Sequence, residues 1–245
     1  MISLTISRRA TALRLRGRAA GAALAALGAL AAAAAVPTAR AGAQILRVPK
    51  QRSEPAFWAG VGVGYYQMNA VADGRTGTGW DFGSGAQYRG SLEYSLGRGS
   101  SIGVTGTYAR LPLRYVSLTD SPLPDGAFAE DAHAQVAQLL GTFHAGGGQG
   151  FHYVIDAGLG VTRFANFESD ATGAALLPSS DTDLAFSIGT GFGYSSGKSA
   201  EFFLVQDYGN TIHQRDGLSN NARTNIQQLT TRIGARFGTG TRRSR

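Results

Sequence analysis

The stretch Leu184-Ala185-Phe186-Ser187-Ile188-Gly189-Thr190-Gly191-Phe192-Gly193-Tyr194-Ser195 decides the fold. Its even positions are mostly bulky and apolar, and its odd positions are Ala, Ser or Gly throughout. A period of two residues is that of a β-strand with two unlike faces. A strand in a soluble sandwich turns Lys, Glu or Thr toward water. Here the second face carries Gly and Ser, as a crowded interior requires. A narrow barrel turned inside out accounts for both faces, with large apolar side chains toward lipid and small ones in the lumen.

Seven further stretches carry the same alternation, at about 57–68, 85–96, 101–110, 134–144, 151–164, 200–208 and 225–237. In 85–96, Ala86, Tyr88, Leu92, Tyr94 and Leu96 share one face, while Gln87, Arg89, Ser91, Glu93 and Ser95 share the other. Leu140 breaks the pattern of its strand. In 200–208, Phe202 and Leu204 compete with Phe203 and Val205 for the lipid side. The register chosen turns Phe202, Leu204 and Tyr208 outward and Glu201 and Asp207 inward. Long connections (69–84, 111–132, 165–182, 209–224) alternate with tight turns at Gly97-Arg98-Gly99-Ser100, Gly146-Gly147-Gly148 and Gly197-Lys198. Tilted membrane strands need about 9–11 residues, and this alternation of loop lengths is that of an up-and-down membrane barrel. The expected fold is all-β, an eight-stranded antiparallel transmembrane barrel over 56–237 with both termini on the periplasmic side. Tyr65, Tyr88, Tyr94, Tyr108, Tyr153, Phe164 and Tyr194 suit an interfacial girdle.

The N-terminus supplies the address. Five arginines between Arg8 and Arg18 precede an Ala-rich run over 19–36 and small-residue cleavage patterns at Ala39-Arg40-Ala41 and Ala41-Gly42-Ala43. This reads as a Sec-type signal peptide over 1–43, cleaved before Gln44, followed by a periplasmic lead-in over 44–55. The chain has 23 basic and 16 acidic residues, but six of the arginines lie in that segment, which leaves 17 against 16, or +1. The high pI is therefore in part an export signal, and nucleic acid is dropped as a partner. There is no cysteine, so stability outside the cytoplasm must come from a closed sheet. A polar tail occupies 238–245.

The runs Phe57-Trp58-Ala59-Gly60-Val61-Gly62-Val63-Gly64 and Tyr153-Val154-Ile155-Asp156-Ala157-Gly158-Leu159-Gly160 resemble the eight-stranded outer-membrane barrels of the OmpA-transmembrane, OmpX and opacity-protein type. The resemblance covers about 56–237 and implies residence in a bacterial outer membrane, among lipid and lipopolysaccharide. It also implies that Phe237 is the terminal aromatic read by the barrel insertion machinery, although eight residues follow it here. It implies fold and not function.

Arg89, Glu93, Asp156, Arg232 and Arg236 are assigned to the lumen as a structural polar network, together with Glu201 and Asp207. Charges in a narrow, poorly solvated interior must pair. His144 and His152 are equidistant from Gly148, so a symmetric hairpin would set them face to face; two imidazoles alone do not make a metal site. His133 and His213 have no partner fixed by sequence. No histidine is followed two positions later by Ser, as lipid A deacylases would require; the following residues are Gln135, Gly146, Val154 and Arg215. No catalytic, cofactor or metal residue is assigned. Acids in the long connections (Asp120, Asp125, Glu130, Asp131, Glu168, Asp170, Asp181, Asp183) are read as solvated loop surface, available to an extracellular ligand. The function expected is structural or surface-interactive, through four external loops over a plugged lumen. The alternative is a small channel or hydrophobic-solute conduit; a lipid-modifying enzyme comes third.

Overall fold

The structure is a computed structural model that describes residues 54–74, 76–97, 99–117, 128–197, 199–214 and 223–240. Ten strands form one sheet: β1 (Phe57–Met68), β2 (Val71–Asp73), β3 (Thr78–Phe82), β4 (Gly85–Gly97), β5 (Ser100–Ser117), β6 (Phe128–Ala145), β7 (Gly150–Ser169), β8 (Ser180–Ser196), β9 (Ala200–Gln214) and β10 (Arg223–Thr239). Eight of them close a ring in the order β1-β4-β5-β6-β7-β8-β9-β10, with β10 returning to β1 from Phe57↔Thr239 to Met68↔Gln228. All neighbours are antiparallel. The fold is an eight-stranded up-and-down barrel with no free edge in its wall.

The outer wall is apolar. Val61 is 63% exposed, Leu92 71%, Leu159 62%, Ile188 57% and Ile233 59%. Aliphatic residues exposed to this degree around a whole circumference call for a lipid surround. Tyr65, Tyr88, Tyr94, Tyr108, Tyr153 and Tyr194 face outward with them. Phe164 does not: it is fully buried inside the barrel, so it leaves the proposed girdle.

The strands run well past the lengths expected from the sequence. β5 extends to Ser117, β6 begins at Phe128, β7 reaches Ser169, and β2 and β3 form a hairpin inside the first connection. The reason is that the apolar residues change from the outward to the inward set. Along β5, Ile102, Val104 and Tyr108 face out, after which Leu111, Leu113 and Tyr115 face in while Arg110, Pro112 and Arg114 face out. Below the switch the strand meets lipid, and above it the strand meets water, as in a soluble barrel. Pro112 fits because its carbonyl accepts from Gly83 N at 2.7 Å, in the break between β3 and β4, where the ladder needs no donor from it.

The inward apolar residues of this upper collar form one core that includes Trp80, Tyr66, Phe164, Phe167, Leu111 and Ile226. Trp80 stacks 4.8 Å from Phe167 and 5.9 Å from Phe164, and its Nε1 donates to Thr78 Oγ1 at 2.9 Å. The end of the barrel away from the chain termini is therefore filled by an aromatic plug.

Candidate functional site

Beneath the plug the lumen is polar and layered. Strands β9, β10, β4 and β7 aim their small-face positions at one axis, so residues far apart in sequence converge. In the layer nearest the ends of β1 and β10 where they begin and finish the barrel, Arg236 Nε donates to Glu201 Oε2 at 2.8 Å, and Nη1 donates to Glu93 Oε2 at 2.9 Å and Ser101 Oγ at 3.1 Å. Glu93 is also held by Ser91 at 2.9 Å and Ser101 at 2.5 Å. The Arg236 guanidinium lies 4.5 Å from the Trp58 ring centre, a cation–π contact.

One layer deeper, Arg232 pairs with Asp156 and donates from Nε to Asp207 Oδ2 at 2.5 Å. Arg89 reaches the same Asp207 oxygen at 3.9 Å. Above these, Gln138 donates to Gln228 at 2.7 Å and to Thr162 at 2.9 Å, and Thr162 meets Thr211 at 3.0 Å. Glu201, Arg232 and Arg236 are at most 3% exposed. The bulky/small alternation in β8 now has its physical cause. A Cβ on Gly193 would stand 2.5 Å from His152 Nε2 and 2.9 Å from Glu201 Oε1, and one on Gly189 would strike the Asp207 carboxylate. Those glycines make room for the ion pairs.

Arg89, Glu93, Asp156, Arg232 and Arg236 all lie in this network, with Glu201 and Asp207. Phe237 faces outward on β10, between Ala59 of β1 and Ala200 of β9. The histidines differ from the sequence expectation. His144 lies opposite Asp156, not opposite His152, and its Nδ1 donates to Asp156 Oδ1 at 2.6 Å. The Gly146–Gly148 turn is asymmetric: β6 stops at Ala145 while β7 runs on to Gly150 against β8 alone. Both histidines nevertheless approach Glu201 Oε1, His152 at 2.8 Å and His144 at 3.8 Å. Among the described residues, the buried His144 Nε2 has no hydrogen-bond partner. A cavity of about 200 Å³ opens at this end, with Trp58, Ser95, Gly146, Glu201 and Arg236 in its lining.

The acids assigned to loops also move. Glu130 and Asp131 lie on β6, Glu168 on β7, and Asp181 and Asp183 on β8; Asp120 and Asp125 lie outside the described residues. On the outer wall above the lipid belt, His133 contacts Glu168 at 2.9 Å and Asp170 at 2.7 Å, with Arg110 alongside. Inside, His213 is fully buried against the plug, 5.2 Å from Trp80. Its Nδ1 meets Asp183 at 2.8 Å and Asp181 at 3.8 Å, and its Nε2 stands 3.9 Å from Asp73. Asp183 is buried, not solvated. His213 and Asp183 lie beyond Ile212 and Leu184, the last outward apolar residues of their strands. Burial opposes charge on His213, but the Asp183 hydrogen bond and the charges of Asp183, Asp181 and Asp73 outweigh it and raise its pKa. Sequence reasoning missed this cluster because it treated 165–182 and 209–224 as loops; the inward parity of Asp181, Asp183 and Thr211, His213 was the available signal.

No family model matches the sequence, and no curated protein matches it. Among solved structures, Neisserial surface protein A matches at 12% identity and a TM-score of 0.49, over 76% of this chain and 99% of that one. The attachment invasion locus protein Ail of Yersinia pestis, in complex with the heparin analogue sucrose octasulfate, matches at 15% and 0.39, over 74% and 97%. The outer membrane protease OmpT of Escherichia coli matches at 11% and 0.42, over 77% and 99%. These likenesses extend neither to function nor to partner. The chain's own closed sheet, apolar belt and charged, plugged lumen make it an outer-membrane β-barrel with a filled interior.

Proposed function

We propose that this protein is a non-enzymatic outer-membrane barrel whose function, structural or interactive, is carried by its extracellular rim. The observation that carries this reading is the continuous filling of the lumen, from the Arg236–Glu201–Glu93 layer through Arg232–Asp156–Asp207 to the Trp80 plug. A solute path would have to separate buried ion pairs and then cross a packed aromatic core. Residues 1–43 act as a signal peptide that is removed on export, and Phe237 acts as the aromatic recognised during barrel insertion. Lipid and lipopolysaccharide surround the apolar belt, and an extracellular ligand would meet the rim and not the interior.

The test is ion conductance of residues 44–245 refolded into planar bilayers, with heat-modifiable gel mobility as the check on folding. The expected result is a heat-modifiable band with no conductance. Steady conductance from the folded barrel would overturn this reading and establish the channel alternative.

A further inference from the structure

We propose that His213 Nε2 and Asp73, with Asp181 beside the ring, form a binding site for a divalent transition-metal ion of the zinc type, set inside the outer end of the barrel. Three strands bring the donors together: Asp73 from β2, Asp181 from β8 and His213 from β9. One donor atom from each lies within 4.8 Å of the other two, Asp73 on the Nε2 side of the ring and Asp181 3.8 Å from Nδ1. The acids alone would be unremarkable. What points to an ion is the imidazole: His213 is fully buried, and its Nε2 has no hydrogen-bond partner among the described residues. That nitrogen faces Asp73 Oδ1 at 3.9 Å. An ion at ordinary Zn–N and Zn–O lengths of about 2.0–2.2 Å from both atoms spans that separation with an open angle.

The outer contacts of the donors are those of a metal site. The Asp183 carboxylate sits 2.8 Å from His213 Nδ1, which fixes the proton there and leaves the Nε2 lone pair for a ligand. Thr76 Oγ1 donates to Asp73 Oδ2 at 2.6 Å, and Thr76 is itself 2.8 Å from Thr78, which orients Oδ1 toward the imidazole. A mixed nitrogen and carboxylate donor set favours zinc-like ions over calcium or magnesium, which take oxygen donors. Such an ion would tie the β2–β3 hairpin to β8 and β9 across the lumen and lock the Trp80 plug.

The experiment uses Zn²⁺ alone. The barrel is refolded with chelator, freed of it, equilibrated with Zn²⁺ and desalted; retained metal is measured by mass spectrometry and unfolding by heat-modifiable mobility. The expected result is about one Zn²⁺ per chain and a raised unfolding temperature. His213→Gln and, as a near-isosteric second variant, Asp73→Asn should each abolish retention in folded barrels. Asp183→Asn should weaken binding about 10–100-fold, the usual effect of losing a carboxylate behind a ligating histidine. His133→Gln, in the exposed Glu168/Asp170 cluster, should leave retention unchanged. Absence of retained metal in the wild type overturns the proposal. So does retention that survives both His213→Gln and Asp73→Asn, or that is lost with His133→Gln instead.

Discussion

Arg236 on the last strand and Glu201 on the ninth are joined twice inside the barrel, Nε to Oε2 at 2.8 Å and Nη2 to Oε2 at 2.6 Å. Neither is more than 3% exposed. Removing one partner of such a pair leaves a buried charge without compensation. Glu201→Ala is therefore expected to cost about 3–5 kcal/mol. Urea unfolding in lipid vesicles would measure it through the tryptophan signal, since Trp58 and Trp80 are the two tryptophans of the chain and Trp58 lies against Arg236. A cost below about 1 kcal/mol, as for an exposed pair, would remove the network as a structural element.

Glycines on the two faces of the wall should respond in opposite ways. Gly193→Ala would push a methyl group into His152 and Glu201, and overpacking of this kind costs about 1–3 kcal/mol. Gly90 and Gly106, paired across β4 and β5, have nothing within 4 Å of an added Cβ. Gly90→Ala should be neutral or slightly stabilising by the same unfolding measurement. Equal costs at the two sites would contradict the lumen geometry.

The apolar switch in β5 gives a paired test on adjacent residues. Leu111 is fully buried inside the collar and Arg110 is exposed on its outside. Leu111→Ala should cost about 2–5 kcal/mol, and Arg110→Leu should lie within about 0.5 kcal/mol of wild type. In the lipid belt, Leu159→Arg should cost about 2–4 kcal/mol. Unfolding of the three variants in vesicles of one composition separates the environments. If Arg110→Leu were as costly as Leu111→Ala, the switch would be misplaced.

Trp80 is 1% exposed and touches Phe82, Phe164, Phe167 and His213. Trp80→Ala should cost about 3–5 kcal/mol and speed amide exchange at Leu111 and Phe164 relative to the lower barrel. Uniform exchange along the strands would show that the plug and the lower lumen are not separable units.

The barrel was legible in the sequence because lipid and a tight lumen impose opposite demands on alternate residues, and Leu184–Ser195 meets both. The lumen charges were legible for the same reason: Arg232 and Arg236 share a parity with Gln228 and Thr230. The collar was not, because Leu111, Leu113 and Tyr115 share neither parity nor environment with Ile102 and Val104, and the prolines near them suggested a loop. His213 was lost with it. The pairing of His144 with Asp156 depended on where β6 stops, which a run of three glycines does not specify.

The switch at Tyr108 has a consequence for the scale of the cell surface. From Tyr108 to Ser117 the strand advances nine residues, about 30 Å at the usual rise. With a tilt near 40°, the tip of β5 stands roughly 20 Å clear of the hydrocarbon edge. A rigid turret of that height lifts any docking event out of the headgroup layer. Short surface sugars would flank it without covering it, and a large soluble partner could engage it without touching lipid at all.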